Sequence, residues 1–363
     1  MPSPLPPVPR PLLPAAAWPG AVLILSGPAT GRQRGSGEEE RADAAAVARA
    51  EARGELLRLR AGVHVRRAEW EAVSARERHL LRVRALVRAS PGPVVLGGAS
   101  AAAVHALPRL APWPALVTLL DVPGIPAGRP AGTRIVRDPA HGRSRLVSAA
   151  DGVRVPGIAA TALAASHEAA MAAVRDAAPR GPGWFAHGLV ALDDALAPRR
   201  PSPATRADLD GERELRGTGP WSRRAQLLVE AADGAAACPV ESIARGVAHE
   251  AGLAPPRVGI AVGGHGRLAL AWARERVGLR IVGTVPGHRG APDVDARAAD
   301  PREADRWRVV TAGERDVLGA GRLRALLLHA GLEPERRAAV AAAGADPADG
   351  RSRRSPPLGC AGE

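Results

Sequence analysis

Between Gln226 and Gly283 the chain reads QLLVEAADGAAACPVESIARGVAHEAGLAPPRVGIAVGGHGRLALAWARERVGLRIVG. A helical run, a loop and a second helical run from about Pro239 to Ala251 give way to short strand-like runs separated by Gly-rich turns. That order commits this part of the chain to a mixed α/β unit. Gly263-Gly264-His265-Gly266 lies between two strand-like runs and reads as a hairpin turn rather than a phosphate cradle. The 50 basic residues are all arginine, so no P-loop lysine exists. His249-Glu250 is not a zinc-protease motif, because Leu253 occupies the position of the second histidine.

The stretch resembles the C-terminal domain of actinobacterial proteins that join an AbiEi-like antitoxin region to a very-short-patch-repair-like, PD-(D/E)xK-type endonuclease fold. Ala232-Asp233-Gly234, Pro239-Val240-Glu241-Ser242 and His249-Glu250-Ala251-Gly252-Leu253 carry the likeness, and Arg267 and Trp272 continue it. The acids of that family's later blocks are missing. Ala269 stands at an aspartate position, and Arg280 and Val282 stand at the two acids before the matching Gly283. A Mg²⁺-dependent phosphodiesterase holds its ion through carboxylate oxygens, and the ion activates water and neutralises the leaving oxygen. Glu241 alone cannot hold a catalytic magnesium. The resemblance therefore implies a pseudo-nuclease with no cofactor and a vestigial Glu241; Mg²⁺ enters only under a rival reading, an active endonuclease whose acids lie elsewhere. Between Glu250 and Asp293 the only acid is Glu275, and Asp293, Asp295 and Asp300 read as solvated surface.

Further upstream, Asp43 can cap a helix over DAAAVARAEARGEL, and Gly54 can end it in the left-handed conformation. Leu56–Arg60 and Val63–Val65 then alternate around Ala61-Gly62 as a β-hairpin. A helix followed at once by a basic hairpin is the tail of a winged helix, and ARGELLRLRAGVHV resembles the matching segment of AbiEi-like antitoxins. In such a module the helix enters the major groove and the hairpin follows the backbone. This makes Arg49 and Arg53 candidate DNA contacts on the helix. Arg58 and Arg60, alternating with Leu57 and Leu59, are candidates for phosphate contact from one hairpin face. The alternative is that these four arginines only solvate an amphipathic element.

Helical spacing of Leu80, Leu81, Val83, Leu86 and Val87 predicts a helix over Ala75–Arg88 with a basic opposite face. Ala101-Ala102, His105, Leu107-Pro108 and Pro112-Trp113-Pro114 resemble a further block of the same family, with Gly97-Gly98 in place of a Ser-His pair. His105 reads as a helix-end hydrogen-bonding residue, since no nucleophile or second histidine is placed to work with it. Asp151-Gly152-Val153-Arg154-Val155 and Thr161-Ala162-Leu163 resemble another block, but Ala160 and Ala164 replace its arginine and aspartate.

The expected fold class is α+β: an N-terminal winged-helix remnant, a central α+β region and a C-terminal restriction-endonuclease-like α/β domain. Composition and the resemblance divide the chain into 1–42 (disordered or an extension), 43–70 (winged-helix-like), 71–200 (AbiEi-like), 201–221 (a polar linker), 222–333 (pseudo-nuclease) and 334–363 (tail). The formal charge of +13 points to a polyanion, most simply duplex DNA. With no tyrosine and one phenylalanine, the composition also fits GC-rich coding, which supplies arginine without any nucleic-acid role. Two isolated cysteines exclude a disulfide framework or a zinc cluster, and no apolar run reaches the roughly 20 residues needed to span a bilayer. A cytoplasmic protein without a membrane partner is expected. The leading reading is a DNA-binding, antitoxin-like transcriptional regulator, to which the resemblance adds a nucleotidyltransferase-like toxin as partner. The rivals are the metal-dependent endonuclease and a decaying gene product.

Overall fold

The apolar run Ala21–Leu25, read from sequence as part of an extension, is built into a sheet. Strand β1 (Leu23–Leu25) pairs in parallel with β2 (Glu39–Arg41). After helix α1 (Ala44–Ala52) come β3 (Leu56–Arg60) and β4 (Val63–Arg66), and β1 runs antiparallel to β4, giving the order β2-β1-β4-β3. Leu23 and Val65 are fully buried, so the run pairs with a strand some forty residues later because that covers its side chains. The computed structural model describes residues 21–26, 39–90, 92–123, 130–149, 153–176, 181–262, 264–283 and 306–335. Asp151-Gly152, the acids Asp293, Asp295 and Asp300, and Cys360 lie outside them.

The local signals act as expected. The Asp43 carboxylate accepts the Ala46 N–H at 3.1 Å, α1 ends before Gly54 and the hairpin turns at Ala61-Gly62. What precedes α1 among the described residues is the strand pair β1–β2, where a complete winged helix has further helices. Each face of the sheet carries one helix. Val47 of α1 packs on Ile24 and Leu56, while Leu81 and Ala85 of α3 (Ala75–Ala89) pack on Leu23, Val63 and Val65. Short α2 (Arg67–Ala72) lies between β4 and α3.

The basic face expected on α3 is not a solvent face. The helix is buried from His79 to Val87 except at half-buried Arg82; the buried set includes Arg84, whose guanidinium donates to the Ala21 carbonyl at 3.0 Å. Arg76 donates to the Ala103 carbonyl, and Arg82 stacks over the Trp70 ring at 4.8 Å. Arginine can serve this way because its planar fork of donors satisfies carbonyls that helix ends and loops leave unpaired.

The central region holds α4 (Gly98–Val104), the parallel pair β5 (Val117–Asp121) and β6 (Thr133–Arg137), and the antiparallel pair β7 (Leu146–Ser148) and β8 (Arg154–Pro156). Single bridges from Val95 to Arg154 and from Leu96 to Leu119 knit the two pairs together. Two long helices follow, α5 (Ile158–Asp176) and α6 (Trp184–Leu196). Residues 201–221, expected as a polar linker, contain α7 (Arg206–Leu215). Thr205 and Asp208 close a capping box on it, and Leu209 is fully buried with Leu189, Leu192 and Leu228. Proline, glycine and charge mark the ends and outer face of this helix, which is why it reads as linker.

Next come α8 (Ser222–Ala231) and α9 (Pro239–Glu250). Strands β9 (Arg257–Val262), β10 (Gly266–Trp272) and β11 (Val277–Val282) are successively antiparallel, and β12 (Arg308–Gly313) joins β11 in parallel. The sheet order is β12-β11-β10-β9, and α10 (Glu314–Leu318) and α11 (Ala320–His329) complete its core with α9. The molecule is thus a mixed α+β protein with several small sheets.

Helix α9 crosses α6 at close range. A Cβ on Gly246 would lie 2.6 Å from the Cβ of Ala186, so only glycine admits this separation. The Glu250 carboxylate at the end of α9 accepts the backbone N–H groups of Gly183, Phe185 and Ala186 at 2.8–3.1 Å. It caps α6 from outside, supplying what Gly183 at the N-cap lacks. His249 stacks on Phe185 with centroids 4.0 Å apart. The His-Glu pair of the sequence is therefore a docking device. Gly246→Leu should lower unfolding free energy by roughly 3 kcal/mol through overpacking, read as a lower urea midpoint at unchanged slope; an unchanged midpoint would contradict the close crossing.

Candidate functional site

The sequence motif Pro239-Val240-Glu241-Ser242 sets a row of polar residues on α9, a helix buried from Val240 to Ala248. Glu241, Ser242 and Arg245 on that row each have a partner, although the buried Arg245 Nε is left without an acceptor. Glu241, 6% exposed, is held by both guanidinium nitrogens of Arg267 at 2.6 and 2.8 Å, and its Oε2 also accepts the Ala237 N–H at 2.8 Å. The carboxylate raises the Arg267 pKa above its ordinary value by accepting these bonds, against the desolvation that lowers it. One turn on, Arg245 pairs with Asp193 of α6 through one nitrogen, Nη2, which reaches both carboxylate oxygens at 2.5 and 2.6 Å. Asp193 is 1% exposed and accepts the Asp233 N–H at 2.8 Å and a hydrogen bond from Ser242. Burial pushes the Asp193 carboxyl above the usual range, while Arg245 and these donors oppose that shift.

The positions at which the resemblance expects acids supply no carboxylate. Ala269 is buried in β10. Leu270 pairs with Leu279, and one step further along this register Ala269 lies beside Arg280, which donates to the His265 carbonyl. Val282, at the end of β11, is 45% exposed. Glu275 lies in the β10–β11 turn, at the opposite end of β10 from Arg267. Among the described residues no group of three or more His, Cys, Asp or Glu side chains is arranged to hold a metal ion. The donor set does not fit Mg²⁺: the one carboxylate at these positions is saturated by a guanidinium fork, and an arginine occupies the cation's place beside it.

The four arginines selected from sequence occupy different environments. Arg49 is exposed in the last turn of α1. Arg53, also exposed, is engaged by Glu55 at 2.7 and 2.9 Å. Arg58 is exposed opposite His64, and Arg60 is half-buried opposite Val63, with a register shift between them. His64 and Val63 are neighbours on β4 and face opposite sides of the sheet, so Arg58 and Arg60 do not share a face. The bulge, invisible to simple alternation, causes the difference. Burial lowers the Arg60 pKa. Arg49 and Arg58 are left on the side of the sheet that α1 covers.

One histidine, His79, has the geometry of a base but not the access, and a second, His105, is structural. His79 Nε2 is 2.9 Å from Ser100 Oγ, a separation that suits a nucleophile and its base, yet both side chains are fully buried. Ser100 Oγ also accepts the Thr118 N–H at 2.8 Å, and His79 Nδ1 donates to the Pro114 carbonyl at 2.9 Å. The network ties α3, α4 and β5 together. His105 is the C-cap of α4, and its Nε2–H donates to the Pro156 carbonyl at 2.8 Å, as a helix-end hydrogen-bonding residue should. Burial lowers its pKa to about 4, against the carbonyl that favours the protonated ring.

Arg267→Ala should cost about 3 kcal/mol by leaving Glu241 buried and unpaired, and Glu241→Met with Arg267→Met should recover most of it, measured by urea unfolding. Equal stability of Arg267→Ala and the parent would contradict the pair. His105 gives a pH signature. Its folded pKa lies below the ordinary 6.5, so its contribution is complete above pH 6.5 and is lost as pH falls towards 4, when the unfolded chain protonates first. The loss is about 3 kcal/mol, and His105→Gln should lack that component of the pH profile. No family model, no curated protein and no solved structure matches this chain.

Proposed function

We propose that the chain is a DNA-binding, antitoxin-like regulator whose C-terminal unit is a catalytically silent relative of an endonuclease fold. One observation carries the silent half of this reading: the Glu241 carboxylate is closed on both oxygens by Arg267, with Ala269, Arg280 and Val282 where catalysis would need acids. A helix followed by three antiparallel strands and a parallel fourth agrees with an endonuclease-like unit. The DNA-binding half rests on the exposed Arg49 and Arg58 beside α1 and on the net charge of +13. The capped helices and the buried Glu241–Arg267 and Asp193–Arg245 pairs support a retained, folded protein over a decaying one. No described helix is long and apolar enough to cross a membrane. A nucleotidyltransferase-like toxin encoded beside this gene would support the antitoxin assignment.

The test is fluorescence anisotropy of the full chain with its own upstream duplex and a scrambled duplex, across a salt series with Mg²⁺ present. Expected is tighter binding to the upstream duplex with the DNA left intact. Arg49→Ala and Arg58→Ala should each flatten the log–log salt slope by about 0.9 on either duplex, with Arg60→Ala doing less because its guanidinium is half-buried. Cleavage would overturn the silent half, and absence of binding at low salt would overturn the DNA-binding half.

A further inference from the structure

The C-terminal sheet has one end at which arginine from three places converges. Arg257 opens β9 opposite Ala271, Trp272 pairs with Val277, and Val277 pairs with Arg308 at the start of β12. The first residues of β9, the Ala273–Arg276 turn and the first residues of β12 therefore lie side by side. They carry Arg257, Arg274, Arg276, Arg306 and Arg308, all exposed. Among the described residues none of the five forms an ion pair, and Glu275 is the only acid between them in the turn.

This end is rigid. Trp307, between Arg306 and Arg308, packs with Val309 and Ile260 against Leu268 and Ala271, and the Arg308 guanidinium lies against Gly331 at the end of α11. Neighbouring strands stand about 4.8 Å apart, so four of them span about 14 Å. A DNA duplex carries one phosphate charge per roughly 1.7 Å of axis with both strands counted, so that length of duplex holds about eight charges, some of them on the side facing the sheet.

The turn adds an independent observation. Arg276 adopts φ +53°, the left-handed region, where glycine or asparagine would sit without strain. This chain has 41 glycines, yet this position is arginine. A strained backbone bearing an exposed charge points to use of the side chain rather than to fold requirements.

We propose that this end of the sheet grips the phosphate backbone of duplex DNA, as a second contact surface apart from α1 and its hairpin. The proposal rests on the DNA-binding reading above and adds a surface to it. It lies at the opposite end of β10 from the Glu241–Arg267 pair and needs no sequence recognition, since guanidinium–phosphate contacts position a protein without reading bases.

The test uses the full chain, a scrambled duplex and a salt series, with Arg276→Gly, Arg274→Ala with Arg276→Gly, and Arg49→Ala with Arg58→Ala. Arg276→Gly relieves the left-handed strain, so its thermal midpoint should equal or exceed the parent's, which removes misfolding as an explanation. The Arg274/Arg276 double variant should flatten the salt slope by about 1.8 and weaken binding to upstream and scrambled duplexes by the same factor. If the parent binds and the Arg49/Arg58 variant loses slope while the Arg274/Arg276 variant does not, this surface is rejected and the DNA-binding reading stands. If the parent binds no duplex at any salt, both are rejected.

Discussion

The crossing of α6 and α9 is the contact on which the rest of the structure depends. Ala186 and Val190 of α6 enter the core formed by α9 and the C-terminal sheet, while Leu189 and Leu192 on another side of α6 enter the core formed with α5, α7 and α8. One helix thus serves two cores. Its position is determined by three kinds of force: steric closeness at Gly246, a carboxylate cap from Glu250 and the buried Asp193–Arg245 pair. The pair is costly to break from one side, since either partner alone would be a buried uncompensated charge. This gives the crossing a defined register that apolar packing alone would leave looser.

Much of the arginine in this chain serves the fold itself. The carbonyls at the end of α8 are received by Arg206 and Arg245, and those at the end of α4 by Arg200, which donates to the His105 and Ala106 carbonyls. With no lysine and only two glutamines to donate from a long side chain, guanidinium groups take over helix capping and loop fastening. A net charge of +13 therefore overstates the positive surface offered to a polyanion, and the sign of the charge matters less than which arginines lack an internal acceptor.

Elements whose signals are local were legible in the sequence. Asp43 and Gly54 bracket α1, Ala61-Gly62 turns the hairpin, and α9 starts at Pro239 and stops one residue short of the expected end. What escaped was non-local or masked by composition. The pairing of Leu23–Leu25 with β4 joins residues far apart in sequence, the bulge between Arg58 and Arg60 breaks the alternation used to assign them one face, and α7 hides among proline, glycine and charge. Glu241 was recognised as isolated from other acids, but its capture by Arg267 needed the β9–β10 hairpin to fold back on α9. Polar residues spaced along an otherwise apolar helix, as Glu241, Ser242 and Arg245 are, were the available hint, because such groups must find buried partners.

In the proposed function DNA contact falls on arginines outside the cores, and the Glu241–Arg267 site is structural alone. Hydrogen–deuterium exchange of the full chain with and without duplex DNA tests this most directly, since it reports where the partner lies without altering any residue. Slowed exchange in residues 44–60, 273–276 and 306–308, with residues 237–245 unchanged, is the predicted result. Protection centred on residues 237–245 and 266–268, or no change anywhere at a saturating duplex concentration, would contradict it.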